Sequence, residues 1–468
     1  MEEANKMKEG AAVIDVNIPC SPNENLSCVI SMKQKLASMG GNDKSSLPFT
    51  ICRVPSAIRQ SDESAYDPKI ISIGPYHHRK PKLQLMEDHK WRYLHTFLDR
   101  NPNIRLESYI MMMKDLEVLS RSCYSGNIDM SSDLFVEMMV LDSCFIIEIL
   151  LKQEKLPAAT DLIYSESWIL PLIAQDMLLL ENQLPFFVLE RSFALHGNSS
   201  SLSELASGFF EHIVGKNDKI PPTSNILHLL HLIHSRLLPK SQVGKIVSCM
   251  DYVNLQHHEQ DNILPTILRR SVVWIDPKPP KYPMKIPPAD ALRDAGIKFC
   301  LKDDSGSFLE VEFKNGRMEM PLVSVYHSTN SLFRNFIAFE QCFPCCGSHF
   351  TSYAIFMDSI INTETDVVIL NKADIIEHCL GSDQDVAILF NNLCNGIAFD
   401  FKDSFLNDLF KDVIDYMETP WHRWHARLMH DYFSNPWASL SAMAAIVVIF
   451  LTFVQTYISL YGYFKPPS

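Results

Sequence analysis

The amino-acid sequence predicts a mainly α-helical (α+β) protein with a small antiparallel β meander and a single C-terminal transmembrane helix. Three observations predict this fold class. Apolar residues recur at helical spacing through most of the chain. A short stretch of β-rich runs contains the hairpin dipeptide Asn315-Gly316. The chain then closes with a long apolar segment that carries no charge.

The composition is that of a folded, acidic protein. Hydrophobic residues make up 47% of the 468 residues and charged residues 21%, which excludes a disordered chain. The 42 Lys and Arg residues against 55 Asp and Glu residues give a formal net charge of −13. A nucleic-acid-binding protein displays a basic face, so we expect no nucleic-acid partner. Twelve cysteines are too sparse for a scaffold held together by disulfides.

The N-terminal 46 residues are predicted to form a disordered tail. They lack periodicity and end in the polar run Gly40-Gly-Asn-Asp-Lys-Ser-Ser46. The first residues contain no apolar run of the signal-peptide type. The sequence also contains two glycosylation sequons, at Asn25 and Asn198, which would be used only in a lumenal protein.

Residues 47–276 are predicted to form the helical part of the body. An amphipathic helix ends at Asn101-Pro102, and it carries apolar residues at Leu83, Met86, Trp91, Leu94 and Leu98. The apolar runs 134–151 and 168–189 contain acids, which are costly inside a membrane, so both predict core helices. Further helices are predicted at 202–214 and 226–238. We expect the acids to bind Arg side chains or buried backbone amides; they are Glu137, Asp142, Glu148, Asp176 and Glu181.

A proline-rich connector is predicted at residues 277–290, because proline cannot continue a helix. Residues 291–418 belong to the same domain and combine the meander with helices. The strands are predicted at 297–301, 308–313 and 322–326. The helices are predicted at 331–340, 352–361 and 383–395, and along the stripe Phe405, Leu409, Val413 and Met417.

Residues 434–464 are predicted to contain the transmembrane helix. No charged residue or histidine occurs from Tyr432 to Phe464, and about 20 apolar residues suffice to cross a bilayer. Aromatic residues at both ends suit the headgroup level. Small residues four positions apart favour close helix approach and predict a homodimer through this helix. The residues assigned to the span are Trp437, Ala438, Ala442, Ala445, Ile449, Phe453, Tyr457 and Tyr461.

The position of this span predicts a single-pass protein of the plasma membrane or an endomembrane. Only four residues follow Phe464, so we expect insertion as a tail anchor with the body in the cytosol. The juxtamembrane segment 419–433 has an aromatic stripe at Trp421, Trp424, Leu428 and Tyr432, with basic residues between. It either lies on anionic lipid or packs on the body.

The motifs of common enzyme classes are absent from the sequence. It has no phosphate-binding glycine loop, dinucleotide fingerprint, zincin helix or nucleophile elbow. We therefore assign no catalytic, cofactor-binding or metal-binding residues and expect no enzyme. Three histidines at steps of three, His228, His231 and His234, drift around a helix, so core or surface histidines are favoured over ligands.

Two clusters keep a chemical alternative open. The run from Cys342 to His349 offers three thiols and an imidazole, but no second half-site of zinc spacing is visible, so incidental cysteines are favoured. The second is a polar cluster with residue types suited to acid–base chemistry. Its structural interpretation is a turn at Gly74-Pro75 that the histidines cap or line. Its members are Tyr76, His77, His78, Glu87 and His89.

Several phrases in one order resemble the plant domain of unknown function 247 family, an uncharacterised protein family. The resemblance runs from about Phe49 to the C-terminal span. The N-terminal phrases are Cys52-Arg-Val-Pro55, Ser72-Ile-Gly-Pro-Tyr-His-His78, Met86-Glu-Asp-His-Lys-Trp-Arg-Tyr93, Phe135-Val-Glu-Met-Met-Val-Leu-Asp142 and Asp176-Met-Leu-Leu-Leu-Glu-Asn-Gln-Leu-Pro-Phe-Phe187. The C-terminal phrases are Ala295-Gly-Ile-Lys-Phe299, Phe333-Arg-Asn-Phe-Ile-Ala-Phe-Glu-Gln-Cys342, Thr351-Ser-Tyr353, Phe356-Met-Asp358 and Leu380-Gly-Ser-Asp383.

The resemblance implies a plant-restricted, mostly helical protein with a C-terminal membrane helix and no established activity or cofactor. Some grass members are linked to pollen-side self-incompatibility, which implies recognition or signalling. We therefore predict a membrane-anchored plant protein without catalysis. Its partners are the lipid bilayer and as yet unidentified proteins. The alternative is an enzyme whose acid–base site lies at Tyr76–His78, Glu87 and His89.

Overall fold

The computed structural model describes residues 31–35, 49–153, 161–197, 201–214, 226–239, 285–303, 306–401, 404–419 and 436–464. The chain divides into two units, residues 1–48 and 49–468. Residues 31–35 of the first unit are helical. The rest of the tail predicted over residues 1–46 lies outside the described residues, as do both sequons and most of the juxtamembrane segment 419–433. The elements below belong to the second unit.

The first part of the second unit is helical, as the sequence predicts. Short 3₁₀ turns occur at Glu63–Tyr66 and Pro81–Leu83. The α-helices are α1 (Ser56–Arg59), α2 (Leu85–Arg100), α3 (Leu106–Ser122), α4 (Ser132–Gln153), α5 (Leu162–Ser165), α6 (Ile169–Asp176), α7 (Phe186–Leu195), α8 (Leu202–Phe209), α9 (Glu211–Val214) and α10 (Leu229–Leu237).

Helix α4 forms the centre of this half. Sixteen of its 22 residues are buried, so it is buried around most of its circumference rather than along one stripe. Helices α2, α3, α7 and α8 pack against it. The apolar run 134–151 is therefore a core helix, as predicted.

The second apolar run is two helices with a loop between them. Helix α6 ends at Asp176 and helix α7 begins at Phe186. Pro185 stops a continuous helix because it has no N–H to donate. Pro171 is tolerated because it lies in the first turn of α6. The loop 177–185 is almost wholly buried, which makes its hydrogen bonding decisive for the fold.

The second half mixes helices with short strands. Residues 277–284 of the predicted proline-rich connector lie outside the described residues. A 3₁₀ turn occupies Pro344–Cys346. The elements are α11 (Ala289–Asp294), β1 (Lys298–Leu301), β2 (Glu312–Lys314), β3 (Arg317–Met320), β4 (Val323–Val325), α12 (Thr329–Cys342), α13 (His349–Ile360), α14 (Glu364–Lys372), β5 (Ile376–His378), α15 (Asp383–Leu393) and α16 (Asn407–Glu418).

The strands correct one detail of the predicted antiparallel meander. Strands β2 and β3 form the predicted antiparallel hairpin, and Asn315 and Gly316 both adopt positive φ at its turn. Strand β1, however, pairs parallel with β3, in the order β1-β3-β2. The chain between β1 and β2 is long enough to place β1 on the far edge of β3. Strand β4 leaves this sheet and pairs parallel with β5, across the helical crossover that parallel strands require.

The C-terminal element is α17 (Pro436–Phe464), a helix of 29 residues. Its segment Met443–Tyr461 has a mean hydropathy of 2.1 and none of it is buried. At about 1.5 Å per residue this segment extends about 28 Å, close to the thickness of a bilayer core. The side chains described among the predicted span residues are exposed; they are Ala445, Ile449, Phe453, Tyr457 and Tyr461. The side chains of Trp437, Ala438 and Ala442 lie outside the described residues.

One glycine turn offers a direct test of this packing. Gly74 has φ +72°, and a Cβ there would lie 2.6 Å from the Gln183 carbonyl oxygen. Gly126 has a similar φ of +81° but open space around it. We expect Gly126→Ala to lower the free energy of unfolding by about 1–2 kcal/mol, the cost of the left-handed conformation. Gly74→Ala should lower the free energy of unfolding by about 1–3 kcal/mol more than Gly126→Ala does, because the backbone at Gln183 must also move.

Pulse proteolysis of the full chain in urea and mild detergent measures both values. Equal losses for the two variants would contradict the close packing of Gly74 against the loop 177–185.

Candidate functional site

The predicted polar cluster lies beside a segment without secondary structure, residues 69–74, which is buried from Ile71 onward. Its N–H groups have no helix or strand to bind, yet Ile71 and Ile73 are fully buried. The carboxylate of Asp176 accepts hydrogen bonds from the N–H groups of Lys69, Ile70 and Ile71 at 2.8–3.0 Å. One buried side chain thus replaces a ladder of backbone bonds.

The loop 177–185 contributes two buried side-chain amides, those of Asn182 and Gln183. Asn182 accepts from the Ile73 N–H at 2.7 Å and donates to the Ile71 carbonyl at 3.1 Å. Gln183 donates to two carbonyls of its own loop, which holds the non-helical backbone. The side-chain oxygen of Gln183, Oε1, accepts a hydrogen bond from the Leu230 N–H of α10 at 3.1 Å. The loop therefore connects segment 69–74 to helix α10.

A buried lysine links the same segment to the core helix α4. Lys90 of α2 is fully buried, and its Nζ donates to Asp142, Glu87 and the Ser72 carbonyl at 2.6–2.7 Å. Asp142 also accepts from the Gly74 N–H at 2.8 Å. Burial opposes the charge on Lys90, but the two carboxylates outweigh burial and raise the pKa of Lys90. Burial also raises the pKa of Asp142, and the contacts with Lys90 and the Gly74 N–H oppose that rise.

His77 belongs to a second network around Glu181. The Glu181 carboxylate accepts from the Val54 N–H at 2.7 Å and from Arg59 at 2.8 Å, and His77 Nε2 lies 3.5 Å away. Burial works to raise the pKa of Glu181, but His77, Val54 and Arg59 together lower it. Burial lowers the pKa of His77, so a neutral imidazole is favoured there.

The structure distributes the predicted cluster over separate surroundings. Tyr76 bonds the Ile51 carbonyl at 3.0 Å and Ser125, and burial raises the pKa of Tyr76 to about 12. His78 and Glu87 lie on the Lys90 side. His89 is half-exposed. Tyr76 and Glu87 thus bind the backbone or a buried charge, whereas the ring nitrogens of His77 and His78 are buried without a hydrogen-bond partner in the described part of the chain.

The predicted acids behave largely as expected. Asp142 and Asp176 bind backbone N–H groups, and Glu181 binds both an N–H and an arginine. Glu148 forms a two-point ion pair with Arg100 at 2.7 and 2.9 Å. Glu137 is exposed on α4.

Sequence reasoning missed Lys90, although a signal was present. The buried residues of α2 include Met86, Lys90, Tyr93 and Phe97, which share one helical stripe. A lysine on an apolar stripe indicates a buried charge that needs an acid partner. No sequence pattern indicated the hydrogen bonds of Asn182 and Gln183, because these bonds depend on the conformation of a loop.

The three histidines of helix α10 are core residues, as the sequence analysis favours. His228 accepts from the His231 N–H at 3.1 Å and bonds the Thr50 carbonyl at 3.1 Å. His234 lies 2.9 Å from Glu340, whose carboxylate also accepts the N–H groups at the start of α13. Burial lowers the pKa of His228 to about 3 and that of His231 well below its usual value.

Two further observations concern candidate metal ligands and clefts among the described residues. No three His, Cys, Asp or Glu side chains come together among them in a way that could hold a metal ion. This includes the run Cys342–His349. A small cleft is lined by Gln175, Leu178, Leu179 and Leu332, with serines at its rim, and it contains no member of the predicted polar cluster.

Comparison with known proteins places this arrangement in a family. A family model described as "Plant protein of unknown function" (domain of unknown function 247) matches residues 51–451. The chain belongs to this family. It is 34% identical over 424 residues to the UPF0481 protein At3g47200 of Arabidopsis thaliana, covering 88% of this chain and 86% of the relative. It is 24% identical over 502 residues to the putative UPF0481 protein At3g02645 of the same plant, covering 92% and 94%. No solved structure matches the chain.

The family resemblance and the buried networks involve the same stretches of this chain. The phrases beginning at Ser72, Met86, Phe135 and Asp176 contain the segment 69–74 contacts described above. In this member of the family, residues of these sequence phrases therefore form contacts that hold the helical half together.

The buried histidines predict a pH dependence of stability. His228 and His231 are neutral when folded, whereas an unfolded histidine has a pKa near 6.5. The unfolded chain therefore binds more protons as the pH falls. Stability from these groups is complete above about pH 6.5 and is lost progressively towards about pH 3, by up to about 1.4 kcal/mol per pH unit for each histidine.

Urea unfolding at about pH 7 and about pH 5 measures this slope. His228→Asn keeps an acceptor for the His231 N–H and should make the slope shallower. His327, which is exposed, supplies the control His327→Asn, which should leave the slope unchanged. An unaltered slope in His228→Asn would contradict the neutral, buried histidine.

Proposed function

We propose that this chain is a single-pass membrane-anchored plant protein that works by non-catalytic interaction with protein partners, in recognition or signalling. The observation that carries the proposal is the helix Met443–Tyr461, which is uncharged and has none of its length buried. The described residues between Phe49 and Thr419 form the body that this helix holds at a membrane.

The exposed surface of α17 is the physical reason for an anchor. Phe453 is 74% exposed and Tyr457 70% exposed, and their neighbours on the helix are similar. Each apolar side chain left in water costs about 1.5–3 kcal/mol relative to burial. A bilayer removes this cost for the whole helix, and the backbone hydrogen bonds are satisfied within the helix.

The interaction role is supported by what the titratable groups of the body do. Lys90, Asp142, Asp176 and Glu181 bind one another or the backbone, which leaves them committed to holding the fold. A recognition role also agrees with what the family resemblance implies. Partners are unidentified proteins, and the acidic net charge of −13 disfavours nucleic acid.

A cytosolic body is supported by the cysteines. The nine cysteines among the described residues are all free thiols, which is the form that the reducing cytosol maintains. A second copy of the chain is a further proposed partner. Ser441 and Ala445 are small residues one turn apart on α17, and such pairs let two membrane helices approach closely.

Membrane integration is tested with paired substitutions in α17. The double variant Ile449→Arg/Phe453→Arg places two charges near the middle of the span. Each charge raises the free energy of membrane insertion by about 2.5–3.5 kcal/mol. Tyr457→Arg/Tyr461→Arg places two charges near its end, where long side chains reach the headgroups. We expect wild type and the second variant to stay in alkali-washed plant membranes and the first variant to be released. Release of the wild-type chain would overturn the anchor.

Orientation is tested by the sequons and by protease. In microsomes, a cytosolic body is cleaved without detergent, and Asn25 and Asn198 carry no glycans. Wild type and Asn25→Gln/Asn198→Gln should then migrate identically on a gel. A mobility difference between them, with a protected body, would place the body in the lumen instead.

A further inference from the structure

One side-chain amide lies deep in the apolar segment of α17 without a hydrogen-bond partner. Gln455 follows Met443 by twelve residues and precedes Tyr461 by six, and these two residues bound the segment. At about 1.5 Å per residue, Gln455 lies about 18 Å from one end and about 9 Å from the other. The Thr456 hydroxyl donates to the Thr452 carbonyl at 2.8 Å, so it is satisfied inside the helix. The Gln455 side chain makes no hydrogen bond to any of the described residues.

The Gln455 amide cannot easily reach water from this depth. The nearer end of the apolar segment is its C-terminal end. Helical side chains lean towards the N-terminus, so that of Gln455 leans towards the middle of the bilayer. Leaving an amide unpaired there is costly, because lipid tails offer neither a donor nor an acceptor. The amide therefore needs a partner from another membrane-spanning helix.

Gln455 belongs to a heptad pattern that runs along the span. Positions seven residues apart, together with those three residues further on, lie along one face of a helix and form the seam of a coiled coil. The residues on this seam are Ser441, Ala444, Val448, Leu451, Gln455 and Ile458. Its first two residues are small, which lets a second membrane helix approach closely.

The bulkiest side chains of the span lie on the other side of α17. At 100° per residue, Ile446, Phe453 and Tyr457 are about 160° or more from Gln455 around the helix axis. These three side chains are 65%, 74% and 70% exposed. The span therefore has a bulky apolar face suited to lipid and an opposite face that carries the unpaired amide.

We propose that two copies of this chain pair in the membrane along this seam, with their Gln455 amides hydrogen-bonded to each other. The pairing rests on the membrane anchor of the proposed function. Two copies inserted in the same way are parallel, so identical residues lie at the same depth and meet across a two-fold axis. An amide has both an acceptor oxygen and N–H donors, so each Gln455 can donate to the side-chain oxygen of the other. A single polar residue on a seam also fixes the register of the pair.

The test uses the full chain, labelled with donor and acceptor fluorophores and reconstituted into phosphatidylcholine vesicles. Energy transfer, followed as the protein is diluted with lipid, gives the dissociation constant of the pair. Gln455→Leu should raise this constant at least about tenfold, because two hydrogen bonds are lost while the span stays apolar. Gln455→Asn keeps an amide and should recover part of the association. Thr456→Val removes a hydroxyl that is bonded within its own helix, so this matched control should leave the constant unchanged.

A second measurement locates the contact face by cross-linking. No cysteine follows Cys394 in the chain, so the wild type provides the background for cysteines placed in the span. Under oxidation with copper phenanthroline, Val448→Cys should give a disulfide-linked dimer above this background. Phe453→Cys, on the opposite face, should not. Linkage through Phe453→Cys but not through Val448→Cys would overturn the proposed seam.

The outcomes separate the pairing from the membrane anchor. The expected result is a Gln455→Leu chain that stays in alkali-washed membranes but pairs more weakly. A wild-type chain that is monomeric in the vesicles, or a Gln455→Leu chain that pairs as tightly as wild type, would overturn the pairing without affecting the anchor. A wild-type chain released by alkali would overturn the anchor and the pairing together.

Discussion

The fold depends on satisfying the buried backbone of segment 69–74 without a helix or a strand. A buried N–H group without a partner costs about as much as a lost hydrogen bond, and several lie side by side here. Asp176, Asn182 and Asp142 meet them with side-chain oxygens. Asp176 ends α6 and Asn182 lies in the loop 177–185, so the break between α6 and α7 places two of these three groups beside the segment.

The same principle extends across the body. Lys90 joins segment 69–74 to the core helix α4. The Glu340 carboxylate contacts His234 of α10 and also accepts a backbone N–H at the start of α13. Breaking a buried ion pair by removing one partner costs about 3–5 kcal/mol, so each such group strongly resists change. Lys90, Asp142, His234 and Glu340 are thus parts of the architecture of the body.

Periodicity predicted the helices well because it reports burial directly. The run 134–151 became α4, and the amphipathic helix predicted to end at Asn101-Pro102 became α2, with bounds close to those expected. The parallel pairings of β1 and β5 were not predictable, because pairing depends on contacts far apart in sequence. The acids of the core were predicted to bind amides and arginines, and most do. The cluster at Tyr76–His89 was grouped by closeness in sequence, and the chain turns its members towards different partners.

The most direct test of the central claim is hydrogen exchange in the full chain. The N–H groups of Lys69, Ile70 and Ile71 belong to no helix or strand. They should nevertheless exchange as slowly as the N–H groups of the core helix α4. Asp176→Ala should increase the exchange rates of these three amides more than the rate of any amide in α3. Helix α3 serves as the internal control. Exchange of the three amides within seconds in the wild type would contradict the account.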